Sequence, residues 1–317
     1  MLKYRKTYCI YMKMAAVPLC LMFIFSTISF SEQHYIFYDG MIRTYSIHVP
    51  LSYDGSETPL FIVLHGGGGN SWHMEEKTGF SKKADEMGFI VLYPDGTWKF
   101  SEYNILNALL SLFMWKNRFL TWNSGYCCGY AYEKNIDDVG YIDMLIEKVK
   151  RDYNVNSSRI YVVGHSNGGM LAYRIASELS NKISAAGIVA GSIGGYANAN
   201  STLWMISQPS HPVSIIHIHG MHDSHVPYNG GHGENATGTR IDLAVNDSIS
   251  FWVEADECNP LPETNFIYNE TIKVDRYIGG KNNSEVVLYS LIYGEHWWPG
   301  KNYRYFNFDA TDAVLLT

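Results

Sequence analysis

The sequence lacks the features of a metal protein, a nucleotide-binding protein or a nucleic-acid-binding protein. Its five cysteines form no CxxC pair, no histidine-rich cluster has metal-ligand spacing, and no GxGxxG or P-loop sequence is present. Positive charge is also scarce, since 24 Lys and Arg stand against 31 Asp and Glu for a formal net charge of −7. An acidic surface repels nucleic acid and anionic polymers. We therefore expect no metal, no cofactor and no nucleic acid, and a neutral or apolar partner.

Long apolar runs are absent after residue 31. The first 31 residues hold four basic residues, no acidic ones, an apolar run over residues 14–30, and small residues at Ser29 and Ser31 that suit a processing site. This pattern is typical of a secretory signal peptide, with an uncleaved membrane anchor as the alternative. We expect residues 1–31 to be removed, which leaves 20 Lys and Arg against 31 Asp and Glu and a formal charge of −11. Residues 32–317 would form one catalytic domain, secreted to the extracellular space or the periplasm.

Three cysteines follow the leader, namely Cys127, Cys128 and Cys258. Disulfides persist in the oxidising compartments that exported proteins enter. An odd count leaves at least one thiol unpaired within the chain. Because adjacent cysteines seldom bridge each other, we expect Cys258 to pair with either Cys127 or Cys128.

Short apolar runs alternate with amphipathic helical patterns along the rest of the chain. The runs predict strands at residues 60–64, 89–93, 160–163, 183–190, 213–218, 271–278 and 286–292, with an edge strand at 42–50, and helices at 81–87, 137–149, 167–179 and 243–257. Such alternation predicts an α/β fold with a mostly parallel central sheet and helices on both faces. Ligands of these sheets bind beyond the carboxyl ends of the strands.

A serine between glycines marks one such strand end. In Gly164-His165-Ser166-Asn167-Gly168-Gly169 an apolar run ends and a helical pattern begins. A strand that turns sharply into a helix exposes the serine, and glycines on either side leave room for the chain to pass. The sequence therefore predicts Ser166 as a nucleophile, while His165 is expected to be structural.

A serine hydroxyl needs a base to take its proton and a carboxylate to orient that base. On this type of sheet the expected chain order is serine, carboxylate, histidine. Asp223 follows the strand at residues 213–218, and His296 follows the last predicted strand. His222 and His225 compete for the role of base, but they lie beside the carboxylate and reach Ser166 awkwardly. We expect Asp223 and His296 to complete a catalytic triad.

Two backbone amides are expected to form an oxyanion hole, the set of donors that stabilises the charge of a tetrahedral intermediate. One is the amide of Asn167, and the other lies in the glycine-rich stretch of residues 65–69, at Gly67. The alternative is a phosphate-binding loop, but no Lys-Ser or Lys-Thr pair follows it. An aromatic wall for the acyl group is expected from Trp122, Tyr126, Trp297 and Trp298, with core packing as the alternative.

Seven stretches together resemble secreted esterases of the polyhydroxybutyrate depolymerase and feruloyl esterase type, within the α/β-hydrolase superfamily. They are Leu64-His65-Gly66-Gly67, Tyr93-Pro94-Asp95-Gly96, Trp122-Asn123-Ser124-Gly125-Tyr126-Cys127-Cys128-Gly129, Asp137-Asp138-Val139-Gly140-Tyr141, Gly164-His165-Ser166-Asn167-Gly168-Gly169-Met170, residues 219–228, and Gly294-Glu295-His296-Trp297-Trp298-Pro299-Gly300. The resemblance implies Ser166 as nucleophile, Asp223 as orienting acid and His296 as base.

The chain departs from these relatives at three places. A cysteine is frequent in them at the position of Gly67, and Gly and Thr are frequent at the positions of Glu295 and Trp297. Residues 100–119 form an insertion rich in apolar side chains. This insertion is expected to be a hydrophobic lid, a membrane-facing patch or an error of gene prediction.

The leading hypothesis is a secreted serine esterase that hydrolyses carboxylic esters through an acyl-enzyme. Its substrate would be a small or polymeric ester, either a hydroxyalkanoate polyester or a feruloyl-type ester, and the sequence does not choose between them. A peptidase on the same fold is the alternative enzyme, and a non-catalytic protein that binds a polymer or a cell surface is the alternative class. Membrane contact is expected only through the leader or the 100–119 insertion, and the oligomeric state stays open.

Overall fold

The strand β3 (Thr58–Leu64) shows how the sequence builds a sheet that is buried on both faces. In the computed structural model, which describes residues 31–99, 119–300 and 308–316, alternate side chains of β3 enter two different hydrophobic clusters. Leu60, Ile62 and Leu64 belong to one cluster, and Phe61 and Val63 belong to the other. Successive side chains of a strand point to opposite faces. A continuous apolar run therefore requires a layer of helices on each side.

Ten of the described strands form one sheet in the order β1-β2-β4-β3-β5-β6-β9-β13-β12-β11. The six strands from β4 to β13 in this order pair in parallel, and the two strands at either edge pair antiparallel. A small second sheet has the order β10-β7-β8. The other strands are β1 (Glu32–Tyr38), β2 (Met41–His48), β4 (Ile90–Pro94), β5 (Val155–His165), β6 (Ala185–Val189), β7 (Gly194–Tyr196), β8 (Trp204–Met205), β9 (Ser214–Gly220), β10 (Ile241–Asp242), β11 (Glu263–Ile267), β12 (Ile272–Tyr277) and β13 (Val286–Leu291).

Helices cover both faces of the large sheet. Those described are α1 (Ser71–Thr78), α2 (Phe80–Met87), α3 (Gly129–Glu133), α4 (Asp138–Asp152), α5 (Asn167–Glu178), α6 (Val245–Ala255) and α7 (Ala310–Leu316), with a short 3₁₀ turn at Lys281–Asn283. Side chains of α4, α5 and α6 join the cluster on one face, and side chains of α1, α2 and α7 join the cluster on the other. The predicted α/β fold with a parallel core and two helical layers is confirmed.

Several predicted elements agree with the structure in detail, and one does not. The Asp137 side chain accepts a hydrogen bond from the Gly140 amide and so caps α4. The strand predicted at residues 42–50 is β2, but it is not an edge strand, because β1 pairs with its residues 41–47. The leader and residues 100–118 lie outside the described residues. In the part of the chain that is described, no helix is long and apolar enough to cross a bilayer.

The expected pairing of Cys258 with one of the adjacent cysteines is wrong. Cys127 and Cys128 are bonded to each other, and Cys258 is a free, buried thiol. Its sulfur lies near the Ser284 carbonyl, just before β13 begins. Cys128, by contrast, lines a cavity at the carboxyl edge of the sheet. Cys258 therefore lies near the amino ends of the parallel strands, and Cys128 lies near their carboxyl ends.

Candidate active site

Ser166 occupies the turn between β5 and α5, and its backbone conformation is one that residues other than glycine rarely adopt. Its φ is 56° and its ψ is −123°. The neighbouring glycines explain why the turn is possible, because a Cβ on Gly164 would lie 2.1 Å from the Gly168 carbonyl oxygen. A Cβ on Gly168 would lie 2.4 Å from the His65 carbonyl oxygen. This sharp, strained turn places the Ser166 hydroxyl at the carboxyl edge of the sheet, where other side chains can reach it.

Three side chains predicted from the sequence meet at this edge. The Ser166 Oγ lies 2.8 Å from His296 Nε2, and His296 Nδ1 lies 2.7 Å from Asp223 Oδ2. Asp223 follows β9, and His296 follows β13, the strand that pairs with β9 in parallel. The parallel pairing therefore brings together two loops that are 73 residues apart in sequence.

The Asp223 carboxylate is held by donors on both oxygens. Its Oδ1 accepts from the His225 and Val226 amides at 2.8 and 2.9 Å, and its Oδ2 accepts from His296 and, at 3.3 Å, from His219 Nε2. Burial alone would raise the pKa of Asp223. The hydrogen bonds from His219 and His296 outweigh burial and hold this pKa well below its usual value. Asp223 is therefore an anion at any pH at which the protein would work.

His296 is neutral at neutral pH. Burial lowers its pKa below that of a free histidine, and the Asp223 carboxylate opposes but does not cancel the shift. The His225 ring stacks on the His296 ring with centroids 4.6 Å apart, and the His165 ring lies 5.2 Å away on a tilted plane. A neutral imidazole whose Nδ1 hydrogen points to a carboxylate presents its Nε2 lone pair to Ser166. This is the protonation state of a general base.

Gly67 and Asn167 lie side by side next to Ser166. A Cβ on Gly67 would be 3.7 Å from the Asn167 Cβ. The next two amides of the glycine stretch are occupied, since Gly68 donates to the Leu120 carbonyl and Gly69 to the Gly66 carbonyl. Among the described residues, the Gly67 and Asn167 amides have no such partner. The Asn167 amide also opens α5, where the helix dipole favours negative charge.

Trp122 does not line the site but connects its two halves, so its expected place in an aromatic wall is wrong. It is fully buried, and its indole Nε1 donates to the His65 carbonyl at 2.9 Å. Its backbone exchanges two hydrogen bonds with the Asn167 side chain. Burial lowers the pKa of His65 to about 4, so a neutral His65 ring accepts from the Gly96 amide. The glycine stretch is thereby fixed against the serine turn.

The wall prediction is also wrong for Tyr126 and Trp298. Tyr126 is buried and its hydroxyl donates to Asp242, while Trp298 is buried against Phe80 and donates to Thr311. Of the four predicted wall residues, only Trp297 lines the cavity around Ser166, and it is 52% exposed. The cavity has a volume of about 720 Å³. Phe119, at the end of the 100–119 insertion, and the Cys127–Cys128 pair, through Cys128, also border it.

Among the described residues, one group of three side chains of metal-ligand type could hold an ion, and it lies at this site. The ligand atoms of Asp223, His225 and His296 lie within 4.8 Å of one another. Asp223 and His296 are already bonded to each other, which accounts for their proximity without an ion. The expectation that no metal or cofactor is needed stays a prediction.

The sequence analysis did not predict that His219 lies near the Asp223 carboxylate. The position of His219 in the chain could have indicated it, because His219 and Gly220 directly precede the loop that carries Asp223. The structure places it within reach of the carboxylate.

The chain is similar in sequence to several known esterases. Residues 129–248, which include Ser166 and Asp223, match a family model described as phospholipase/carboxylesterase. A bifunctional acetylxylan esterase/xylanase of Neocallimastix patriciarum is 26% identical over 54% of this chain and 20% of its own length. Feruloyl esterase B of Piromyces equi is 25% identical over 75% of this chain and 40% of its own length. The chain thus spans less than half the length of these relatives.

Solved structures show the same architecture. An acetyl xylan esterase from Aspergillus awamori superposes with a TM-score of 0.55 at 14% identity, over 85% of this chain and 95% of that one. An S-formylglutathione hydrolase from Agrobacterium tumefaciens gives 0.54 at 14% identity, over 90% and 92% of the two chains. The chain therefore has the α/β-hydrolase fold predicted from its sequence. The relatives named above agree with the expected resemblance to feruloyl esterases, while secretion and the likeness to polyhydroxybutyrate depolymerases stay predictions.

Proposed function

We propose that this protein is a serine carboxylic ester hydrolase in which Ser166, His296 and Asp223 form the catalytic triad. The observation that carries the proposal is the continuous hydrogen-bonded connection from the Ser166 hydroxyl through the His296 ring to the Asp223 carboxylate. Neutral His296 is ready to accept the proton of Ser166, and anionic Asp223 stabilises the imidazolium that results.

The reaction proceeds in two steps, acylation of Ser166 and hydrolysis of the acyl-enzyme. The Ser166 Oγ attacks the ester carbonyl carbon while its proton passes to His296 Nε2, and the tetrahedral intermediate collapses when His296 returns that proton to the departing alcohol. The product of this half is an acyl group bonded to Ser166. Water then loses a proton to His296, attacks the acyl carbon and releases the carboxylic acid, and Ser166 recovers its proton.

The Gly67 and Asn167 amides stabilise the oxyanion of both intermediates. Their position beside Ser166, the lack of other partners and the helix dipole of α5 support this role. Because the donors belong to the backbone and are held by Trp122, they need no rearrangement when charge develops.

The substrate is an acyl ester of a plant polysaccharide or a related small ester, and the enzyme acts outside the cell. The relatives named as acetylxylan and feruloyl esterases support the acyl group, and the composition of residues 1–31 supports export. A cavity of about 720 Å³ bordered by Trp297 and Phe119 has room for an aromatic acyl group. Hydroxyalkanoate oligomers are the second substrate to test.

Turnover of several esters by the purified protein tests the proposal. Methyl ferulate, acetylated xylan and hydroxybutyrate oligomers are supplied in parallel to the wild type, Ser166→Ala and Ser157→Ala. Ser157 lies exposed near the start of β5, the same strand that ends before Ser166, so Ser157→Ala is a matched control. We expect the wild type and the control to release acid from at least one ester, and Ser166→Ala to release none above background. A folded wild type that hydrolyses none of these esters would favour the alternative of a non-catalytic protein that binds a polymer or a cell surface.

A further inference from the structure

A chain of buried side chains ends at Asp223, and the reaction described above does not use it. His217 and His219 lie two residues apart on β9, so their side chains share one face of the strand, and both are almost fully buried. His217 Nε2 lies 2.9 Å from His219 Nδ1, and the Tyr173 hydroxyl lies 2.5 Å from His217 Nδ1. At the other end, His219 Nε2 lies 2.8 Å from the Val226 carbonyl oxygen and 3.3 Å from Asp223 Oδ2.

The Val226 carbonyl determines where the hydrogens lie. A carbonyl oxygen only accepts, so His219 Nε2 carries a hydrogen. With both rings neutral, His219 Nδ1 accepts from His217 Nε2, and His217 Nδ1 accepts from the Tyr173 hydroxyl. Burial lowers the pKa of His217 well below its usual value, and this keeps its ring neutral. One arrangement of hydrogens therefore satisfies every ring nitrogen.

In this arrangement the donors run from Tyr173 through His217 to His219, whose single Nε2 hydrogen has the Val226 carbonyl as its nearer acceptor at 2.8 Å and Asp223 Oδ2 as a second, longer one at 3.3 Å. Two backbone amides fix its Oδ1. Its Oδ2 is shared by His296, whose ring gains and loses a proton on its other nitrogen during the reaction, and by His219. In the described part of the chain, His219 is the only other side chain that donates to this oxygen.

We propose that His219 is a positioning residue, which holds Asp223 Oδ2 toward His296 and is itself held in one tautomer by His217 and Tyr173. The proposal rests on the triad proposed above and extends it from three side chains to six. His219 does not line the cavity around Ser166. Its effect must therefore pass through Asp223.

A double-mutant cycle tests this dependence. His219→Leu should lower kcat about 10–100-fold with KM unchanged, the loss expected when a hydrogen bond to a charged group is removed. In an Asp223→Asn background the same substitution should change the rate less than about 2-fold, because Asp223 is the only route for its effect. His219→Gln, whose amide nitrogen reaches near the position of Nε2, should recover part of the rate. His211→Leu, in an exposed loop, is the matched control and should have the wild-type rate.

Two outcomes of the cycle would overturn the proposal. One is a wild-type kcat for His219→Leu, and the other is an equal loss in both backgrounds, which a purely structural role would give. Nitrogen-15 NMR of the histidine-labelled wild type gives an answer even if the variant does not fold: the proposal requires hydrogen on His219 Nε2 and none on Nδ1, and the reverse tautomer would refute it. A wild type without esterase activity is a failure of the proposed function, and the NMR result still decides the arrangement.

Discussion

Trp122 and Asn167 hold each other through two reciprocal hydrogen bonds. The Trp122 amide donates to Asn167 Oδ1 at 2.8 Å, and Asn167 Nδ2 donates to the Trp122 carbonyl at 3.0 Å. Both residues are buried, so neither set of polar groups has water as an alternative partner. The pair joins the residue after the serine to the loop that also supports the glycine stretch.

Asn167→Ala should therefore weaken both the fold and the reaction while keeping the backbone amide in place. Removal of the side chain leaves the buried Trp122 amide without a partner, at a cost of about 1–3 kcal/mol, while the Trp122 carbonyl keeps its hydrogen bond from the Cys128 amide. We expect a lower midpoint in chemical denaturation and a reduced kcat. Trp122→Phe removes the indole donor to His65 and part of a fully buried ring but keeps both hydrogen bonds with Asn167, so its kcat should fall less. Equal losses in the two variants would contradict this ranking.

The rate of ester hydrolysis should rise with pH through a transition below 6.5. Burial lowers the pKa of His296, and protonated His296 cannot accept the Ser166 proton, so the lost activity lies on the acid side of that pKa. The groups that face this ring are Asp223, His225, His165 and His219. A profile of kcat/KM against pH gives the transition of the free enzyme. A midpoint clearly above 6.5 would mean that the carboxylate outweighs burial.

Substitution by alanine should affect the stability of the protein very differently at two glycines near the serine. Gly168→Ala places a Cβ 2.4 Å from the His65 carbonyl oxygen and 2.6 Å from the Leu64 carbonyl oxygen, and this backbone cannot move without displacing β3. We expect this variant to lose several kcal/mol of stability or to fail to fold. Gly67→Ala meets only an ordinary contact at 3.7 Å and should fold normally. Thermal denaturation compares them, and similar midpoints would show that the turn is looser than described.

The Arg43–Asp138 ion pair should be important for stability. Both side chains are fully buried 2.7 Å apart, and the second Asp138 oxygen accepts from the Asn123 amide beside Trp122. Arg43→Met leaves the carboxylate buried without its partner, at a cost of about 3–5 kcal/mol. Lys148→Met breaks an exposed pair on the surface of α4 and should cost at most about 0.5 kcal/mol.

The loss in Arg43→Met should also depend on pH. Burial raises the pKa of Asp138, and Arg43 opposes this shift. Without Arg43 the folded protein prefers the protonated acid even more strongly, so its stability falls as pH rises. Urea denaturation at pH 5 and pH 8 should show the larger deficit at pH 8. An identical deficit at both would indicate that lost packing, and not the buried charge, explains the effect.

The sequence predicted the parallel core and the meeting of Ser166, Asp223 and His296, because both follow from where strands end. Continuous apolar runs identify buried strands, and residues just after them must share one edge of a parallel sheet. The antiparallel strand β1 was missed, since it follows the apolar leader directly. The strands β8 and β10 have only two residues each, too few to show any periodicity.

Side-chain direction within loops was the part that the sequence could not supply. Trp122, Tyr126 and Trp298 are aromatic residues near the predicted site, yet local packing turns all three into the core. The free state of the Cys258 thiol could not be predicted for the same reason, because residue type and spacing do not reveal at which end of the strands a loop lies. A hydrogen-bonded network such as that of His217 and His219 can be identified only in the folded structure.

Labelling with a fluorophosphonate probe is the most direct measurement of the central claim, that His296 activates the Ser166 hydroxyl. The probe reacts with a serine only when a base removes its proton. We expect the wild-type protein to gain one adduct on the peptide that contains Ser166, and His296→Ala and Ser166→Ala to gain none. Folded wild-type protein that stays unlabelled, or that is labelled equally well without His296, would contradict the account.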